Sequence, residues 1–246
     1  MNRRILLTIT FIWGLLPVFA QDFSNKGKDF WIAYPSHIDG LSSVMGIYIT
    51  SDVNTTGTIQ VGPSSTILFT VTANQVTRKF IGNSGTVDAS NSYVLVTEQD
   101  GVKTNAAIHI ISERPVVVYT HIIRSARSGA CLALPAPVLG LEYIAPSNNS
   151  TGGNPGSTES QGIGEITVVA TQPNTVVEVT PAINGRAGRL ANVPFQVTLN
   201  NAGDVYQWQG TLNGDISGTR IKSISTGTSG CKPIAEIGRA SCRERV

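Results

Sequence analysis

Apolar residues recur along this chain in short alternating or β-branched runs, and no window sustains the 3.6-residue period of an amphipathic helix. The runs that predict strands are 30–34, 45–50, 58–61, 67–72, 92–97, 106–111, 116–123, 165–171, 176–180, 195–199, 205–208 and 220–224. Turn-forming residues separate them: Asp39-Gly40, Asn54-Thr55-Thr56-Gly57, Gly82-Asn83-Ser84-Gly85, Gln99-Asp100-Gly101, Asn184-Gly185, Asn200-Asn201-Ala202-Gly203 and Asn213-Gly214. Asn and Gly take the positive-φ positions that such turns require. Strand–turn spacing of this regularity, without helices, predicts an all-β fold of antiparallel, sandwich-like units.

The two ends break the pattern. Met1-Asn2-Arg3-Arg4 is followed by an apolar run from Ile5 to Phe19, then Ala20 and the polar Gln21-Asp22. A charged start, an apolar core and a small exit residue predict a secretory signal peptide cut after Ala20. The apolar run falls short of the roughly 20 residues a membrane-crossing helix needs. At the other end, Glu236 to Val246 is basic and polar, without alternation or turn chemistry. It resembles the translation of a sequencing-library adapter, so residues 236–246 are set aside as non-native, Cys242 with them. The mature protein is expected to continue past Ala235 with something else.

Between these ends, 21–146 predicts a first β unit and 165–235 a second, truncated one. Residues 147–164 form a polar loop or linker, centred on Asn148-Asn149-Ser150-Thr151-Gly152-Gly153-Asn154-Pro155-Gly156-Ser157. The units echo one another. Val71-Thr72-Ala73-Asn74-Gln75 parallels Val197-Thr198-Leu199-Asn200-Asn201, and Ser51-Asp52-Val53-Asn54-Thr55 parallels Thr171-Gln172-Pro173-Asn174-Thr175. Ile108 to Val116 parallels Ile221 to Ser225 followed by Cys231-Lys232-Pro233-Ile234. An internal repeat is expected of modular β architecture. Ending at Ala235 would leave the second unit an open sheet edge, and hence poor solubility.

Charge narrows the partners. The formal charge is +2. Arg3 and Arg4 leave with the leader, and three Arg against two Glu leave with the tail, so the mature charge is −1. Nothing here attracts a polyanion such as nucleic acid. Of the cysteines, Cys131 and Cys231 remain. Export permits a disulfide between them, with two separate thiols as the alternative. A loop of that length adds roughly 4 kcal/mol in the chain-entropy account.

Several segments carry a family resemblance. They are Gly27-Lys28-Asp29-Phe30-Trp31-Ile32-Ala33-Tyr34, Ile47-Tyr48-Ile49-Thr50-Ser51, Arg114-Pro115-Val116-Val117-Val118-Tyr119, Ala130-Cys131-Leu132-Ala133-Leu134-Pro135 and Leu139-Gly140-Leu141-Glu142-Tyr143. In this order they resemble the IgGFc-binding protein N-terminal domain, over nearly all of 27–235. The resemblance implies a large secreted or cell-surface protein of the kind found in Bacteroidetes-type bacteria, with further β modules. It does not carry Fc binding across, because none of these motifs maps to a known binding residue.

Catalytic signatures are missing from the sequence: there is no Gly-x-Ser-x-Gly elbow, His-Glu-x-x-His, phosphate loop or dinucleotide fingerprint. No cofactor is expected. His37, His109 and His121 are too few and too scattered to select a metal site or a triad, and read as hydrogen-bonded residues at core edges. Most acidic residues sit at turns, where they cap backbone. Aromatics that might stack on a sugar are Trp31, Tyr34, Tyr48, Tyr93, Tyr206 and Trp208. Tyr206 and Trp208 alternate on one strand face with Asp204, so they are the candidate ligand-binding pair, set against core packing.

The expectation is a non-enzymatic extracellular structural or adhesion module, secreted or on the outer cell surface, with an extracellular protein or glycan as partner. No membrane span is expected in the mature chain. Two rival readings are a carbohydrate-binding module of a polysaccharide-processing protein and a hydrolase.

Overall fold

The computed structural model describes residues 24–37, 39–83, 85–124, 127–147, 163–227 and 230–239. The leader expected at 1–20, most of the polar loop and residues 240–246 lie outside them. Fifteen strands follow in order: β1 (Gly27–Ile32), β2 (Val44–Thr50), β3 (Thr55–Val61), β4 (Ser65–Val71), β5 (Val76–Ile81), β6 (Asp100–Lys103), β7 (Ile108–Arg124), β8 (Arg127–Ala133), β9 (Glu142–Ile144), β10 (Glu165–Ala170), β11 (Thr175–Thr180), β12 (Phe195–Leu199), β13 (Val205–Gln209), β14 (Arg220–Ile224) and β15 (Ile234–Arg239). Among the described residues helix is confined to 3₁₀ turns at Gly40–Ser42 and Ala136–Val138. Every ladder between these strands is antiparallel, as the alternating pattern predicts.

The first unit turns on β7. Its first half lies between β1 and β3, and its second half between β2 and β8. The sequence predicts two strands here, 106–111 and 116–123; the structure has one of 17 residues. Pro115 sits between the two paired stretches. It cannot donate to a ladder, and it falls where the strand passes from one set of neighbours to the other. Ile108, Ile110, Val116, Val118 and Ile122 keep one parity and all face inward. The layers are thus β4-β3-β7-β1 and β5-β2-β7-β8. Between them Phe30, Ile59 and Phe69 pack with Met45, Ile47, Ile49 and Ile81 in one core.

The second unit has two four-stranded sheets, β15-β10-β13-β6 and β12-β11-β14-β9. Ile166, Val168, Val177, Val179, Tyr206, Trp208 and Ile221 fill the space between them. The order β12-β11-β14-β9 has the connectivity of β4-β3-β7-β1, and β13-β10-β15 that of β5-β2-β7. Two strands come from sequence expected in the first unit: β6 pairs with β13, and β9 with β14. Hydrogen bonding therefore crosses the position 146 boundary. Residues 236–239, set aside above, extend β15 along β10.

The sheet β15-β10-β13-β6 is covered on both faces, so every residue of β10 and β13 is buried. Its inner face meets the second core. Part of its outer face meets Ala33, Val96, Ala106 and Ala107 of the first unit through Val169, Val205 and Ala235. The rest is polar and fully engaged. Glu165, 1% exposed, accepts from Ser36 Oγ at 2.5 Å and Gln209 Nε2 at 2.9 Å. Gln207 donates to the Glu98 carbonyl at 2.7 Å and accepts from the Ser36 N–H at 3.1 Å. Buried polar groups are tolerated when paired in this way.

The 92–97 run predicted as a strand forms none. Val94, Leu95 and Val96 are buried, but Val94 lies in a turn and the segment makes one isolated bridge, from Leu95 to Tyr34. Cys131 and Cys231 are both free and exposed, so no disulfide joins them in the structure. Partial burial of the thiol first, and the nearby Glu236 second, raise Cys131 above its usual value. Among the described residues no helix is long and apolar enough to cross a membrane.

Candidate binding surfaces

Tyr206 and Trp208, the sequence-predicted ligand pair, belong to the core. They are 1% and 0% exposed, and a sugar platform needs an open ring face. The reason is register. β13 turns its even-numbered positions toward the sheet β12-β11-β14-β9, and the 181–194 connection closes over the top. A Cβ on Gly185 would fall against Trp208 Nε1, well inside van der Waals contact. Asp100 on β6 accepts from Tyr206 Oη at 2.7 Å and pairs with Arg189 Nε at 2.7 Å. The Arg189 guanidinium lies 4.0 Å from the centre of the Phe195 ring. Burial first, and the Asp100 carboxylate second, push the Tyr206 hydroxyl far above its ordinary range. Trp208 Nε1 is buried without an acceptor, which costs about 1–3 kcal/mol.

The titratable clusters have structural geometry. Ser43 Oγ and Asp39 Oδ2 both approach His37 Nδ1, at 2.6 and 3.6 Å. A Ser–His–acid relay needs the hydroxyl and the acid on opposite ring nitrogens. The His37 side chain is also fully buried. His109 stacks on Trp31, with ring centres 3.8 Å apart, and pairs with Asp29 at 2.8 Å. Trp31 reaches on to the β12–β13 turn, where a Cβ on Gly203 would stand 3.3 Å from its ring. This trio braces one unit against the other. Among the described residues no three His, Cys, Asp or Glu stand together as metal ligands.

Among the described residues the outer face of β12-β11-β14-β9 is open and carries Ile144, 66% exposed, and two open faces on the first unit combine polar groups with large apolar side chains. Over β4, β3 and the first half of β7 runs a groove of about 530 Å³, lined by Thr56, Thr58, Thr70, Leu68, Ile111 and Glu113. Its floor dips at Gly57, where a Cβ would collide with the Ile111 carbonyl and the Phe69 ring. Leu68 is 72% exposed.

The second face covers β5, β2, the second half of β7 and β8. Ladder register lines up Arg78, Tyr48, Tyr119 and Leu132 in one row, and Phe80, Gly46, His121 and Ala130 in the next. Tyr119 is 46% exposed. The Tyr48 ring lies over Gly46, whose missing side chain makes room for it. Tyr48 meets Phe80 edge-on at 88° and His121 at 56°. Sequence reasoning picked out Tyr48 but read His121 as a core-edge residue, and it passed over Tyr119, Phe80 and Arg78. The available signal was the alternation Val117, Tyr119, His121, Ile123 opposite an inward-facing even-numbered set.

Fold and surfaces together define an all-β protein whose Glu165, His37 and Asp100 are held in structural hydrogen bonds and which presents open sheet faces. Residues 129–246 match the model of the family described as IgGFc binding protein. The match covers a little under half of the chain, from β8 through the second unit and residues 236–246. Of the motifs behind the resemblance, it includes 130–135 and 139–143 and excludes those before 129. No curated protein and no solved structure matches the chain.

Proposed function

We propose that this protein is a non-enzymatic extracellular structural and adhesion module, exported by its leader and built from two copies of one β unit. The observation that carries the reading is the contrast between its interior and its surface. Glu165, His37, Asp100 and Asp29 are each held by neighbouring side chains, whereas the broad open areas are sheet faces suited to contact. The family match over 129–246 supports binding, with a protein as partner. The test presents the purified chain to a glycan array, immobilised mucin and IgG Fc, with polysaccharide turnover measured in parallel. Saturable binding without turnover is expected. Polysaccharide cleavage at an enzymatic rate overturns the reading.

A carbohydrate-binding function is the second reading, and the groove beside Gly57 favours it. Three Thr hydroxyls and the Glu113 carboxylate line a trough with aliphatic walls, the mix of polar and apolar groups that sugars need. Thr58→Val and Glu113→Gln would each lower affinity for an array-positive glycan while leaving the melting curve in place.

A further inference from the structure

We infer that the face formed by β5, β2, the second half of β7 and β8 docks an acidic patch on another protein. The inference rests on the binding-module reading and names the surface and the partner's chemistry. Its first support is charge. The four segments Val44–Thr50, Val76–Ile81, 116–124 and Arg127–Ala133 contain no Asp or Glu, but they carry Arg78, Lys79, Arg124 and Arg127. The carboxylate at the β5 edge, Asp88, is engaged by Lys79 Nζ at 3.4 Å and by the Phe80 N–H at 2.8 Å. Lys79 is thereby neutralised, and Arg78 is left exposed as the outward cation in the row of tyrosines. The strands of the opposite face carry Asp29 and Glu113 against Lys28 and Arg114 and are balanced in charge, so the net cationic character belongs to this side.

The second support is composition. Tyr, Phe and Arg are the residue types that concentrate binding energy at protein interfaces, and here they sit side by side on a rigid ladder. The third is ring geometry, which separates a protein partner from a glycan. A flat sugar platform is made by coplanar rings, whereas Tyr48 and Phe80 stand at 88° to each other and His121 tilts at 56° to Tyr48, so these rings share no common plane. Edges and clefts of this kind accept side chains, and Arg78 supplies a fork for a carboxylate.

The experiment measures binding of the full chain to a glutamate–tyrosine random copolymer, with a lysine–tyrosine copolymer as the opposite charge and heparin as competitor. The expected result is binding of the glutamate–tyrosine copolymer alone, weakened by salt. Arg78→Glu and Tyr119→Ala should each weaken it by roughly tenfold or more, with unchanged thermal melts. Leu68→Asp, on the other face, should leave it unchanged. Arg78→Lys should restore part of the affinity, because a point charge replaces the fork. The inference is overturned if no copolymer binds, if heparin displaces the copolymer as an anionic glycan would, or if Leu68→Asp rather than Arg78→Glu abolishes binding. That last result leaves a binding module with a different face. Cleavage of the copolymer would instead overturn the binding-module reading itself.

Discussion

Tyr206 and Trp208 on β13, and Tyr119 and His121 on β7, are the same pattern read twice: aromatic rings two apart on a central strand. The structure sends them in opposite directions. Trp208 is 0% exposed and Tyr119 46%. β13 has the sheet β12-β11-β14-β9 on one side and connecting segments of the first unit on the other, so both of its faces are buried, and its larger side chains fill the space between β12-β11-β14-β9 and its own sheet. The second half of β7 has a covered face already filled by Val116, Val118 and Ile122, so its rings face outward. Alternation identifies a two-faced strand; what lies over each face is decided by layers that a single strand does not encode.

The largest effect that sharpens this contrast is the loss of a ring from each place. Trp208→Ala should cost about 3–5 kcal/mol in urea unfolding, the range for an aromatic removed from a core. Tyr119→Ala should change stability by less than about 0.5 kcal/mol, as substitutions on open surface do. Equal costs would erase the distinction.

Next comes Glu236, whose carboxyl is pushed up to about 7 by burial and whose Oε1 has no partner. It follows Ile234 on the inward side of β15, where the register calls for an apolar side chain. Below pH 4.5 the group is neutral folded or unfolded and adds no electrostatic penalty. As pH rises through 4.5 toward 7 the unfolded chain ionises first, so stability falls; above 7 the deficit levels off at about 3 kcal/mol. Glu236→Gln should flatten this decline, seen by comparing unfolding at pH 4.5 and pH 8. A wild-type curve already flat across that window would mean that β15 does not bury this residue.

Tyr206→Phe should cost less, about 1–2 kcal/mol, by removing the donor to Asp100 while keeping the ring. Asp100 retains Arg189 at 2.7 Å, which limits the loss. A cost as large as that of Trp208→Ala would mean that the hydroxyl, not the ring, holds β6 against β13.

Much of this architecture was legible in the chain. The runs at 195–199 and 220–224 match β12 and β14, and that at 205–208 falls one residue short of β13, because β-branched and aromatic residues alternate there between Asn- and Gly-rich turns. The strands that escaped notice lack that signature. β5 carries Arg78 and Lys79 in mid-strand, β8 begins Arg-Ser-Gly, and β6 starts inside Gln99-Asp100-Gly101, which reads as a turn. β6 and β9 are strands because β13 and β14 offer them an edge, which is long-range information. The 92–97 run failed in the opposite sense. Val94 and Leu95 plug the first core and Val96 packs between the units, while Tyr93 is 40% exposed, and the segment forms no ladder. At the candidate surfaces, burial of Tyr206 and Trp208 depends on the 181–194 connection closing over them, which their own strand does not foretell.

The arrangement of layers is tested most directly by hydroxyl-radical footprinting of the native chain, read residue by residue by mass spectrometry. Tyr119 should oxidise readily, while Tyr206 and Trp208 stay protected until the protein unfolds. Oxidation of Trp208 in the native state at a rate comparable to that of Tyr119 would contradict a second core sealed between two sheets.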